Sequence, residues 1–247
     1  GQCTVDPADS VLCVYKLSGA EAAQFSSSDS QVSAFWSSWV GRDEVEMYPP
    51  DHCHPDRCGF VGGQDDARIT LRAAATEQGL YLYAAVQDDV WADCVGGNCW
   101  GEDAVDLFFD RVSAAEAFRC DVLGCQYQTF TTWHLLVLMG DSVPSGRVRL
   151  HYYDRDLWTW MSVALGTTEF AERYELEVEV VAVDATHRTQ EWFVPWTFFG
   201  YAMQAGTPLS GKLLAFTGGY NDMDGDTATT PDCLRWLGKD PWALDQS

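Results

Sequence analysis

The segment Asn221–Asp226 (NDMDGD) sets carboxylates at Asp222, Asp224 and Asp226, next to Asn221, on a glycine-containing turn. Alternate oxygen ligands on a tight turn suit Ca²⁺, a hard cation that gathers many oxygens. The spacing is not that of an EF-hand, because Gly225 comes too early and no Glu stands at the twelfth position. An Asx-rich turn joining two strands is the other reading of the same residues. Asp88, Asp89 and Asp93 form a second, sparser carboxylate group. His52 and His54 flank Cys53 in DHCHPDRC. On a strand they would share a face and seed a Cu²⁺, Zn²⁺ or Ni²⁺ site; a polar loop pinned by a disulfide is the alternative. His134, adjacent to Trp133 in an apolar stretch, is a third candidate imidazole, while His151 and His187 stand isolated and read as ordinary residues. Haem would need an axial pair, for which Met139 and Lys212 are imaginable, but no Cys-x-x-Cys-His attaches one covalently.

Signals for covalent or hydrolytic chemistry are thin. No Gly-x-Ser-x-Gly elbow, His-Glu-x-x-His helix or phosphate loop is present. Glu175, Glu177 and Glu179 alternate, which puts them on one face of a strand. A solvated face has nothing to raise one carboxyl pKa above another, as glycoside hydrolysis requires. The expectation is a non-catalytic protein.

Charge narrows the partners. The chain carries 15 basic and 37 acidic residues, a net charge of −22. It repels phosphate backbones and anionic membranes at long range, so nucleic acid and membrane surfaces are poor partners. With 47% apolar and 21% charged residues, it has the composition of a folded chain. No apolar run approaches the ~20 residues of a membrane helix. No signal peptide is visible, so the expectation is that any such segment was removed or not included.

Nine cysteines point to an oxidising compartment. Cys53/Cys58, Cys94/Cys99 and Cys120/Cys125 share one spacing in turn-rich stretches, which favours local disulfides that stiffen loops. Cys3 and Cys13 form a looser pair; Cys233 is free or pairs with one of them. The expected location is secreted, cell-surface or periplasmic, with lipidation imaginable at Cys3.

The elements that would position these residues are strands. ERYELEVEVVAVD (Glu172–Asp184) alternates most clearly. Further strands are expected at Ala67–Ala75, Leu80–Gln87, Ala104–Arg111, Gln126–Met139, Arg147–Tyr153, Trp158–Ala164 and Leu213–Tyr220. Ala20–Phe25 and Val194–Tyr201 have room for a helical turn or two. Many short strands punctuated by Gly, Asp and Ser predict an all-β fold, an antiparallel, jelly-roll-like β-sandwich. The chain reads as one domain, with residues 1–40 a less regular extension and the N-terminal region decorated by a disulfide-pinned loop. Of the 11 Trp, Trp192 and Trp196 read as structural, and Trp158 and Trp160, two apart on one strand, as core.

Four stretches taken in order resemble the family 9 carbohydrate-binding module. They are ARITLRAAATEQGLYLYAAVQDDVW (Ala67–Trp91), WGEDAVDLFFDR (Trp100–Arg111), YELEVEVV…EWFVPWTFFG (Tyr174–Gly200) and GKLLAFTGGYNDMDGD…LRWLGKDPW (Gly211–Trp242). The likeness runs from Ala67 to Trp242. It implies a β-sandwich that grips a sugar between two indoles, with polar side chains on the hydroxyls. Trp100 matches the first indole and Asp106 the acidic acceptor, where Glu is usual. Trp242 matches the late indole, with Trp236 competing for that role and Lys239 as polar partner. Trp100 and Trp242 equally suit plain packing. The resemblance also implies structural calcium, and related DOMON-like proteins of this fold bind haem. The leading expectation is therefore a carbohydrate partner for a module of a larger surface protein. A copper- or haem-binding protein on the same fold is the alternative, and an interaction module without a small ligand the third.

Overall fold

A computed structural model describes residues 14–26, 31–40, 42, 44–49, 51–52, 65–92, 103–110, 132–139, 148–154, 159–165, 175–198, 216–223 and 232–235. For 108–110, 132–138, 148–154, 159–165, 216–217, 232–233 and 235 it describes the backbone alone. Among the described residues, twelve strands and two short helices follow in chain order: β1 (Tyr15–Lys16), α1 (Gly19–Ala22), α2 (Ala34–Ser37), β2 (Val45–Met47), β3 (Ala67–Ala75), β4 (Gly79–Asp88), β5 (Ala104–Asp110), β6 (Thr132–Leu138), β7 (Val148–Asp154), β8 (Thr159–Leu165), β9 (Glu177–Ala182), β10 (His187–Pro195), β11 (Phe216–Asp222) and β12 (Asp232–Arg235). The all-β expectation holds. No helix among the described residues is long and apolar enough to cross a membrane.

The first sheet runs β1-β3-β4-β10-β9, with β2 also on β3; the second runs β12-β11-β5-β6-β7-β8. Every pairing is antiparallel except β1 on β3, which is parallel. Period-two alternation turns one face of each sheet inward. Ile69, Leu71, Leu82, Val86, Trp192 and Val194 of the first sheet form one core with Val105, Leu107, Tyr220 and Leu234 of the second.

Close approach explains one glycine. A Cβ on Gly79 would stand 2.5 Å from the Val194 carbonyl oxygen and 2.5 Å from Phe193 Cε2. Backbone cannot give way there as a side-chain tip can. Gly79→Ala is expected to cost about 1–3 kcal/mol, the ordinary cost of overpacking, and urea unfolding with an unchanged m value would show it.

The first sheet buries its outer face as well. Leu17, Phe35, Trp36 and Trp39 pack on Ala74, Tyr81 and Tyr83 as a second core. Ser33 donates from both its N–H and its hydroxyl to Glu191 on β10. This cover corrects the expected solvated face of Glu175, Glu177 and Glu179. Glu175 and Glu177 are exposed, but Glu179 is only 9% exposed and lies across from Glu191. Of the strand expected at 172–184, the described residues 175–184 form one only over Glu177–Ala182, with Glu175 at φ 51° before it.

Helix α1 starts in a capping box, in which the Glu21 N–H donates to Ser18 Oγ and the Ser18 N–H to Glu21 Oε2. These Ser18 bonds, with help from Arg42, lower the Glu21 pKa to about 2. A carboxyl depressed on folding stabilises above its unfolded pKa of 4.5 and loses that contribution as pH falls toward 2. Solvent screening keeps the amount under ~1 kcal/mol. Glu21→Gln is expected to be less stable than the parent at pH 7 and equal to it near pH 2, by paired urea titrations.

Candidate functional site

Three carboxylates converge at one end of the sandwich. Asp88 ends β4, Asp103 precedes β5 and Asp222 ends β11. All three are buried, and one oxygen from each lies within 4.8 Å of the others. Backbone amides hold two of them: Val90 N–H donates to Asp88 Oδ1, and Ala92 and Met223 N–H to the two oxygens of Asp103. The Tyr220 hydroxyl donates to Asp88. Burial, then the charges of Asp103, Asp88 and Asp222, push the Tyr220 pKa well above the ordinary phenol value, so it remains a neutral donor. Arg188 reaches the same end, donating to the Met139 carbonyl with its guanidinium 4.3 Å from the Trp91 ring centre. Three carboxylates this close in a low-dielectric interior cannot all be charged without compensating charge. All-oxygen donors of this kind fit a hard divalent cation.

The trio draws together two groups that looked separate along the chain and adds a residue that neither contained. Asp88 came from the sparse group and Asp222 from NDMDGD, whereas Asp103 stood unremarked inside WGEDAVDL. Asn221 departs from the trio, because strand alternation turns it to the opposite face of β11, where its Nδ2 donates to Asp106 Oδ2 at 2.7 Å. Asp93, Asp224 and Asp226 lie outside the described residues.

Asp106 stands on the outer face of the second sheet, since its neighbours Val105 and Leu107 enter the core. It is only 2% exposed, and Asn221 holds its carboxylate in one orientation. The ladder extends this position both ways: Asp106 pairs with Gly219 and then Arg235 on one side, and with Leu136, Arg149 and Ala164 on the other. Two basic positions thus fall in the row of an acidic one. Neither could be found from the sequence, because strand order and register decide which distant residues share a row. Trp160 falls on this outer face too, paired with Tyr153 and out of phase with the inward row Leu107–Leu135–Leu150–Val163.

The remaining candidates divide plainly. Trp100, Trp236, Lys239, Trp242, His54, Trp158 and Lys212 lie outside the described residues, as do all the cysteines except Cys233, whose backbone pairs with Asn221. His52 accepts from the Tyr48 N–H at 3.3 Å and packs edge-on to the Tyr48 ring. Met139 is fully buried in the main core, with the Gln190 side-chain amide against its sulfur. Trp192 and Trp196 are structural, as expected: both are buried in the core, and Trp196 Nε1 donates to the Thr76 carbonyl.

No family model matches this chain, and no curated protein does. Three solved structures resemble it. A candidate carbohydrate-binding protein from Bacteroides uniformis is 15% identical over 90% of this chain and 87% of its own, with a TM-score of 0.49. A family 9 carbohydrate-binding module from Caldicellulosiruptor kristjanssonii, in complex with glucose, is 14% identical over 93% and 90%, at 0.48. A structure of a family 9 module from that organism with cellotriose is 13% identical over 87% and 84%, at 0.46. At these identities and scores the likeness decides nothing about a ligand.

Proposed function

We propose that this chain is a non-catalytic, extracellular carbohydrate-binding module. Its sugar site lies on the outer face of the second sheet around Asp106, between the indoles of Trp100 and Trp242, with Trp236 and Lys239 beside the second. The observation that carries this reading is the Asp106 carboxylate, which accepts from Asn221 and belongs to the stretch WGEDAVDLFFDR that resembles the family. A preoriented acceptor binds a sugar hydroxyl with little further ordering cost. Ca²⁺ held by Asp88, Asp103 and Asp222 neutralises the buried charge and ties the ends of β4 and β11 to the start of β5. In doing so it steadies the segment that leads into Asp106.

Calorimetric titration with glucose and cellotriose, preceded by a glycan array, tests the sugar reading. Trp100→Ala and Asp106→Ala are each expected to weaken the best ligand about tenfold or more, the equivalent of ~1.4 kcal/mol. Undiminished binding by Trp100→Ala, with the fold intact by circular dichroism, would remove this site from consideration.

A further inference from the structure

His134 and His151 are direct cross-strand partners on β6 and β7. Phe108 of β5 is the partner of His134 on its other side, and Ser162 of β8 that of His151. Partners across an antiparallel pair share a sheet face, with Cβ atoms about 4.5–5.5 Å apart. The next row along, Leu107–Leu135–Leu150–Val163, runs inward, since Leu107 belongs to the core. Alternation therefore assigns the histidine row to the outer face.

The geometry points to a divalent transition-metal site, for Cu²⁺, Ni²⁺ or Zn²⁺, at the juxtaposed rung positions His134 and His151. Imidazole nitrogen is the natural donor for these ions, bonding at ~2.0–2.1 Å in the case of Zn²⁺. A single rung sets two histidine positions opposite one another, and the sheet fixes that pairing on folding. Only five histidines occur in the chain, and two of them meet here although 17 positions separate them in sequence. The carboxylate positions Asp106 and Asp110 stand two residues either side of Phe108, diagonal to His134. A net charge of −22 further favours divalent cations near this surface. Nitrogen donors separate this site from the all-oxygen Asp88–Asp103–Asp222 cluster, so the two select different metals. The inference rests on strand register and is independent of sugar binding.

Titration of the whole chain with NiCl₂, followed by calorimetry, and electron paramagnetic resonance after one equivalent of CuCl₂ test it. One tight equivalent is expected, with the copper spectrum showing nitrogen coupling. His134→Gln and His151→Gln should each weaken Ni²⁺ at least ~tenfold, whereas the double variant His52→Gln/His54→Gln should bind as the parent does. A smaller loss in either single variant, loss in the His52/His54 variant, or no binding by the parent overturns the proposal. Should a single variant fail to fold, Zn²⁺ protection of the parent against diethyl pyrocarbonate, mapped by mass spectrometry, gives the answer. Joint protection of His134 and His151 supports the site, and anything less overturns it.

Discussion

Trp36→Ala is expected to lower the unfolding free energy by about 3–5 kcal/mol, the range for a fully buried tryptophan. Trp36 is 1% exposed. Its ring lies 5.2 Å from that of Tyr83 with the planes 30° apart, and 5.1 Å from that of Trp39. Arg72 locks the same spot: its Nη1 donates to the Trp36 carbonyl at 3.0 Å, its Nε to Glu44 at 2.8 Å, and its guanidinium lies 5.0 Å from the Tyr83 ring centre. Truncation would open a cavity between the N-terminal segment and the first sheet. Val40→Ala, at a position 92% exposed, serves as control and should stay within ~0.5 kcal/mol. Equilibrium urea unfolding reads both. A Trp36→Ala loss as small as the control's would mean that the N-terminal segment adds nothing to the stability of the sandwich.

Ca²⁺ is expected to raise the thermal midpoint, and Asp103→Asn to abolish the rise. A ligand that binds only the folded state stabilises by about 4 kcal/mol at a thousand times its Kd. For a domain of this size that is on the order of 10 °C. Scanning calorimetry with Ca²⁺ and with excess EGTA supplies the comparison. Asp103 is the decisive position because its two oxygens accept from Ala92 and Met223. Asparagine keeps the shape and one acceptor but removes the charge. An identical midpoint with Ca²⁺ and with EGTA in the parent protein would refute calcium at this cluster. The charge balance would then have to come from protons or from Arg188.

Strands buried on one face were legible from the residues. ARITLRAAA alternates, and β3 runs Ala67–Ala75 as expected. β10 was missed for a physical reason. Arg188, Thr189, Gln190 and Glu191 form a polar run without alternation, yet all four are buried, because the central strand is covered on one side by the main core and on the other by the N-terminal segment. Alternation reports one-sided burial and is silent when both faces are covered. A helical turn was expected from Val194 onward; the strand instead continues to Pro195 and the turn occupies 196–198. The short edge strands β1, β2 and β12 carry too few residues for any periodicity to register.

The sequence by itself determined the fold class, the acidity and which strands turn an apolar face inward, because these depend on neighbours a few residues apart. Register was decided only in three dimensions. It united Asp88, Asp103 and Asp222, turned Asn221 away toward Asp106, and set His134 opposite His151. Shifting one strand by two residues would keep its faces and still undo the meetings it takes part in, and no local pattern in the chain records that choice.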